Sequence, residues 1–224
     1  MWGDIMAWLL TSDWHLNPGD IMPPLTKKDF PNVTSIGLVG DIINVLPLGI
    51  NSWKTIEGKT TIESIARLTE LAPVYYVFGN HEGRLSWLKL LLKDYPEVQI
   101  LRSIKVDING EKWRIEHGHR FSEWFLLRYV ADDIVEWLTT NPLTLKLWYR
   151  FCIKMGWLPG QYLNSRAIRR EKYERKIIAY WAFIMNAARS KEEGYIVGHS
   201  HTRATINPPF GKVIDLGARK IVLL

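Results

Sequence analysis

Val74-Tyr75-Tyr76-Val77-Phe78-Gly79-Asn80-His81-Glu82 is the stretch on which the reading of this chain turns. Valines and aromatic rings, the side chains that strands favour, run without a break into a glycine, an amide, an imidazole and a carboxylate. A strand buried on both faces explains the apolar run, and a turn at its carboxyl end explains the abrupt change. The pattern recurs along the sequence. Met6 to Thr11 runs to Asp13-Trp14-His15, Ser35 to Val39 to Gly40-Asp41, Lys112 to Glu116 to His117-Gly118-His119, and Tyr195 to Val197 to Gly198-His199-Ser200-His201.

The connecting segments complete an α/β pattern. Ile62, Ile65, Leu68 and Leu71 fall at helical spacing over Thr61 to Leu71, with Thr60 or Thr61 as the expected N-cap and Pro73 closing the helix. Ser86 to Lys93 reads as a second helix. Asn109-Gly110 between Ile104 to Ile108 and Lys112 to Glu116 is a hairpin signal, and Lys212 to Leu216 and Lys220 to Leu224 complete the expected strands. In layered α/β folds, ligands gather beyond the carboxyl ends of strands, so the polar motifs should meet there.

Between His119 and Gly194 the pattern turns helical: Phe121 to Leu138, Leu143 to Met155 and Ser165 to Ser190, with Leu158-Pro159-Gly160 as a turn. The expected organisation is one domain over 1–224 with a helical insert at 121–194. A chain of 224 residues with 47% hydrophobic content can bury a full core. Cys152 is the single cysteine, so no intrachain disulfide is possible. Asp4 interrupts any signal-like start, and Arg128, Asp132, Asp133 and Glu136 break the most apolar stretch below bilayer-spanning length. The expectation is a cytoplasmic protein, with peripheral membrane contact left open.

The net charge of +6 is concentrated. Arg166, Arg169, Arg170, Lys172, Arg175 and Lys176 face only Glu171 and Glu174, a cluster that attracts phosphate groups or forms a solvated helix face.

The motifs together supply the carboxylates, imidazoles and amide oxygen that would hold two divalent cations side by side. Each has a plainer reading taken singly: Asp13 as a helix cap, Asp41 as a turn residue, Asn80 as a left-handed turn position. The six histidines tip the balance, because all of them, His15, His81, His117, His119, His199 and His201, fall within these blocks.

Asp-x-His, Gly-Asp, Gly-Asn-His-Glu, His-Gly-His and Gly-His-x-His, in this order, resemble the calcineurin-like metallophosphoesterases over almost the whole chain. The resemblance implies an α/β sandwich of four layers, two mixed β-sheets flanked by helices, with the insert as a cap. It implies that Asp13, His15 and His201 hold a first metal, that Asp41 bridges both, and that Asn80, His117 and His199 hold a second. His117 and His119 are close enough in sequence to exchange roles, and the resemblance favours His117. Imidazole with carboxylate suits Mn, Fe, Zn or Co better than Mg or Ca, and the resemblance favours two metal ions, Mn2+ or a mixed iron site. His81 matches an outer catalytic imidazole that stabilises developing charge or protonates the leaving oxygen. Its alternative is a hydrogen bond to Glu82 or a neighbouring ligand. The chain departs from the family at Asn44, where many relatives carry a second acid.

The implied activity is hydrolysis of a phosphodiester or pyrophosphate by metal-activated hydroxide attacking phosphorus. Arg166, Arg169 and Arg170 are the expected contacts to the phosphoryl oxygens. The alternatives are a nuclease, suggested by the basic helix and abundant aromatics, and a metal-free protein-binding scaffold. Trp124, Trp137, Trp148 and Trp157 make the insert strongly apolar, as a mini-core, a dimer contact or a seat for an amphiphilic substrate. The insert's position is similar to that in UDP-2,3-diacylglucosamine pyrophosphohydrolases, which show Gly-Asn-Arg-Asp and His-Gly-Asp where this chain has Gly-Asn-His-Glu and His-Gly-His. A small, nucleotide- or lipid-linked phosphorylated substrate is the expected partner.

Overall fold

In the computed structural model, residues 7–119, 177, 180–182, 184–188, 193–207 and 212–224 are described. The chain divides into two compact units, Met1–His119 with Met185–Leu224, and Arg120–Ile184. Of the second unit the described residues are 177, 180–182 and 184, all helical. The expected helices over Phe121 to Leu138 and Leu143 to Met155 lie outside the described residues, as do Arg166, Arg169 and Arg170.

The first sheet is built by alternation of strand and helix. It runs β1 (Ala7–Thr11), β2 (Val33–Val39), α1 (Val45–Leu48), a 3-10 turn (Ile50–Lys54), α2 (Ile56–Ala66), a second 3-10 turn (Arg67–Glu70), β3 (Val74–Val77), α3 (Leu85–Leu91) and β4 (Val98–Leu101). β1 to β4 pair in parallel in sequence order, and the last strand of the chain, β10 (Ile221–Leu223), closes the sheet antiparallel to β1.

The second sheet starts with the hairpin of β5 (Ile104–Ile108) and β6 (Glu111–Ile115). Asn109 and Gly110 both have positive φ, 55° and 79°, as the type I′ turn requires, so the Asn-Gly signal sets the pairing of Ile108 with Glu111. β7 (Gly194–Val197), β8 (Ala204–Ile206) and β9 (Val213–Asp215) then give the order β5-β6-β7-β9-β8, with β6, β7 and β9 parallel. The fold is therefore an α/β sandwich of two mixed five-stranded sheets flanked by helices.

Period-two alternation explains why the first sheet's strands read as continuously apolar. Leu9, Ile36, Leu38, Val74 and Tyr76 face the helical side, where Trp53, Ile62, Ile65, Leu68 and Leu88 cover them. Their neighbours Trp8, Leu10, Val39 and Val77 point the other way and pack on Ile108, Trp113, Ile115 and Ile196 of the second sheet. Each fully buried side chain of this size contributes about 1.5–3 kcal/mol. This inter-sheet core holds the ends of β1, β2 and β3 against those of β6 and β7.

Three readings change. α2 starts at Ile56, earlier than expected, and its N-cap is Thr55, whose hydroxyl accepts from Gly58 N–H at 3.2 Å; neither Thr60 nor Thr61 caps it. Exposed Ile56 and Gly58 hid this first turn, but a Cβ on Gly58 would collide with the Trp53 backbone. The regular helix ends at Ala66 and tightens into the 3-10 turn before Pro73. β4 and β8, both sheet edges, had no strand signal because neither carries a long apolar run.

Candidate metal centre

Every candidate ligand lies just past the carboxyl end of a strand. Asp13 and His15 follow β1, Asp41 follows β2, Asn80 and His81 follow β3, His117 follows β6, and His199 and His201 follow β7. The first three loops continue the sheet as a hydrogen-bonded stitch. Asp13 N–H donates to Gly40 O at 3.1 Å, His15 N–H to Asp41 O at 2.9 Å, and His81 N–H to the Asp41 carboxylate at 2.8 Å. Asp13, which was read alternatively as a helix cap, precedes no helix. It takes φ 54°, and His15 (50°), Asp41 (51°), His199 (67°) and His201 (57°) share the left-handed region. Non-glycine residues there are held against a cost of about 1–3 kcal/mol each, a pattern that concentrates at functional sites.

Two glycines let the sheets' loops interlock. A Cβ on Gly40 would lie 2.5 Å from the His117 ring, and one on Gly198 would lie 2.6 Å from Asp13 Oδ2. Across that second contact, His199 N–H donates to Asp13 Oδ2 at 3.0 Å. Close backbone approach at these points brings side chains from both sheets into one cluster.

Ligand atoms converge in three overlapping groups, Asp13–His15–His201, His15–Asp41–His81 and Asp41–His117–His199, within each of which all ligand atoms lie within 4.8 Å of one another. Asp41 belongs to two of them. His117 Nε2 stands 3.2 Å from Asp41 Oδ2, and His201 Nε2 stands 3.3 Å from Asp13 Oδ1. Of the two imidazoles of His-Gly-His, His117 is the one at Asp41, and the His119 ring lies beside those of His117 and His199, at 5.5 and 6.4 Å. The Asn80 amide oxygen is buried without a hydrogen-bond partner. Arg166, Arg169 and Arg170 cannot be placed relative to the centre, because they lie outside the described residues.

The electrostatics divide the imidazoles. Burial pushes His15 and His199 down, His15 to about 4 and His199 to about 3, with the His117 charge adding to the effect at His199. Both are neutral at pH 7, the state in which imidazole is a ligand. Burial also pushes His117 down, but the Asp41 and Asp13 carboxylates outweigh it and raise the ring to about 10. Asp41 is held well below the ordinary carboxylate value because the His117 and His81 rings outweigh the upward push of burial.

Asp13 Oδ1 and Asn80 Oδ1 are buried without a hydrogen bond and ask for a positive partner, and buried His117 Nε2, 3.2 Å from Asp41 Oδ2, carries a proton in the raised state of its ring. His117 Nδ1 faces Val39 O at 3.0 Å, an acceptor only, so Nδ1 carries the hydrogen and Nε2 is the position left to bind something. His15 Nε2 and His201 Nε2 approach to 3.2 Å, where at most one hydrogen fits between them in the neutral state. Two carboxylates, an amide oxygen and imidazole nitrogens facing inward are a donor set that fits divalent transition metals.

Two residues have roles beyond those the sequence suggested. Glu82 is buried, and the bonds of its carboxylate run to groups other than the His81 ring. Its Oε2 accepts from Gly79 and Asp41 N–H, and its Oε1 from Ile42 and Ile43 N–H and the Tyr76 hydroxyl. It thereby clamps the Gly-Asp loop to the Gly-Asn-His-Glu loop. Burial and the Asp41 charge raise it to about 7. A glutamate in the loop five residues past the end of buried β3 was the available signal. The other residue is Asn44, whose amide oxygen lies 3.1 Å from His15 Nδ1 and 2.9 Å from His81 Nδ1.

No family model matches the sequence, and no curated protein matches it. Among solved structures the chain is similar to an archaeal phosphodiesterase, with 18% identity, TM-score 0.40, and coverage of 95% of this chain and 84% of that one. A dimetal phosphatase from Danio rerio is similar with 12% identity, TM-score 0.44, and coverage of 96% and 88%. Vacuolar Protein Sorting 29 from Cryptosporidium parvum is similar with 12% identity, TM-score 0.44, and coverage of 96% and 75%.

Proposed function

We propose that this chain is a metal-dependent phosphoesterase of the calcineurin-like class that binds two divalent cations and hydrolyses a phosphodiester or pyrophosphate. The observation that carries the reading is that Asp41 offers a carboxylate oxygen within 4.8 Å of a ring nitrogen of His15 on one side and of His117 and His199 on the other, and one carboxylate set between two cations offsets their repulsion. In this reading Asp13, His15 and His201 hold one ion, Asn80, His117 and His199 the other, and Asp41 both. Mn2+ is the favoured ion, with Fe, Zn or Co suited to the same donors. Bound cations would polarise phosphoryl oxygens and make water acidic enough to supply hydroxide near neutral pH.

The chain's own groups account for the rest. His15 and His199, neutral at pH 7, need lose no proton to act as ligands. His81 lies beside the cluster, its Nε2 3.9 Å from Asp41 Oδ2, within reach of a reacting group there. Glu82 keeps the backbone amides of Asp41 and Gly79 fixed, so the bridging carboxylate does not reorganise during turnover. We assign residues 121–194 the part of a cap that selects a small phosphorylated substrate, with its basic cluster at Arg166, Arg169 and Arg170 contacting phosphate. Among the described residues no helix is long and apolar enough to cross a membrane. A single cysteine fits a cytoplasmic site of action.

The test is hydrolysis of bis(p-nitrophenyl) phosphate with added Mn2+, together with elemental analysis of the purified protein. Turnover that needs metal and vanishes in Asp41→Ala supports the reading. A protein that binds no divalent cation overturns it.

A further inference from the structure

We infer that Asn44 is a positioning residue that fixes the tautomer of His15 and His81 together, through one amide oxygen shared between the two rings. Its consequence for metal affinity rests on the proposed function; the tautomers themselves do not.

The amide cannot turn round. Its Nδ2 donates to His15 O at 2.9 Å and to Asn17 Oδ1 at 3.2 Å, both acceptors, so the opposite edge must be the oxygen. The backbone is equally fixed, with Asn44 N–H donating to Leu16 O at 2.9 Å and Asn44 O accepting from the Trp53 indole at 3.2 Å. Oδ1 then faces His15 Nδ1 at 3.1 Å and His81 Nδ1 at 2.9 Å. A carbonyl oxygen has two lone pairs and no hydrogen, so both Nδ1 atoms must donate. The rings meet edge to face, with centroids 4.4 Å apart, as two donors converging on one acceptor require.

Fixing hydrogen at Nδ1 leaves each neutral ring with its lone pair at Nε2. On His15 that nitrogen faces Asp13 Oδ1 and His201; on His81 it faces Asp41 Oδ2. One residue therefore prepares a ligand for the first cation and orients the candidate catalytic ring. A carboxylate at this position would accept the same two bonds, but it could not donate to His15 O and would add a negative charge. The neutral amide sets the tautomers without that charge.

The test uses uniformly 15N-labelled, metal-free full-length protein, with long-range proton–nitrogen correlations reading each imidazole. The expected spectrum has His15 and His81 both protonated at Nδ1. Asn44→Ala should lose that signature on both rings, and Asn44→Asp, which keeps the acceptor, should restore it. Calorimetric titration with Mn2+ should show one site weakened about 10–100-fold in Asn44→Ala. A wild-type spectrum with either ring protonated at Nε2 overturns the inference and requires no variant to fold. So does an unchanged spectrum in folded Asn44→Ala. A wild type with both Nδ1 atoms protonated but no affinity for Mn2+ or Zn2+ would refute the metal reading and leave the tautomer lock standing.

Discussion

The two halves of the centre hold similar side chains in different surroundings. Asp41 and His117 are sealed, with side-chain exposures of 2% and 0%, whereas His201, opposite Asp13, is 36% exposed and His15 is 17% exposed. In the sealed half, water cannot offset the Asp41 charge, so His117 retains a proton to do it and is raised to about 10. In the other half the buried Asp13 carboxylate likewise raises its partner His201 against the downward push of burial, and Asn44 rather than a second carboxylate lies at His15. Each half therefore pairs a buried carboxylate with one raised imidazole, and the halves differ in how far solvent reaches that pair. If both halves hold a cation, the expected difference is tighter retention in the sealed half once His117 has lost its proton, because water screens the charges there less.

The hardest test of this contrast removes what the halves share. Asp41→Ala should abolish binding of both ions and lower phosphodiester turnover by about 10³-fold or more, measured by elemental analysis and bis(p-nitrophenyl) phosphate assay. Loss of one ion with the other retained would show that Asp41 serves a single half. His117→Ala against His201→Ala then compares the halves directly. Calorimetry with Mn2+ should show the first substitution costing at least about tenfold more affinity than the second, and equal losses would remove the distinction.

Glu82→Gln asks whether the clamp between loops supports the centre. Gln offers one acceptor oxygen where Glu82 uses both, leaving buried N–H groups unpaired, at a cost of about 3 kcal/mol in urea denaturation. Unchanged stability would assign the clamp no part.

The proton on His117 predicts a pH dependence. Its folded value, about 10, lies above the ordinary 6.5, so the stability it contributes to metal-free protein is complete below pH 6.5 and is lost as pH rises through about 10. Thermal melts from pH 6 to 10 should show this decline without metal and little of it with saturating Mn2+. Binding at pH 7.5 should release about one proton from His117, read by calorimetry in buffers of different ionisation enthalpy. Thr55→Ala is the smallest change. It should cost about 1 kcal/mol by loss of the α2 cap and leave both metal affinities untouched.

Much of this molecule was legible because its buried strands announce themselves. Runs such as Ser35 to Val39 have apolar side chains on both faces, and the polar motif after each marks its end. The motifs themselves put Asp13, Asp41, His117 and His199 just past the ends of β1, β2, β6 and β7. What escaped depends on contacts that no local pattern encodes. Gly58 packs against the Trp53 backbone in the first turn of α2, and β4 and β8 are sheet edges whose polar residues interrupt any apolar run. The Asn44 lock requires two rings distant in sequence to meet on one oxygen. At Asn44 the sequence showed only a missing charge.

The contacts at Gly40 and Gly198 tie the chemistry to the architecture. Because each glycine seats a side chain from the opposite sheet, the spacing between sheets also sets the spacing between ligands. A methyl group added at either position would push the sheets apart like a shim in a hinge. Its first symptom would be a changed ratio of ions to protein, well before the sandwich came undone.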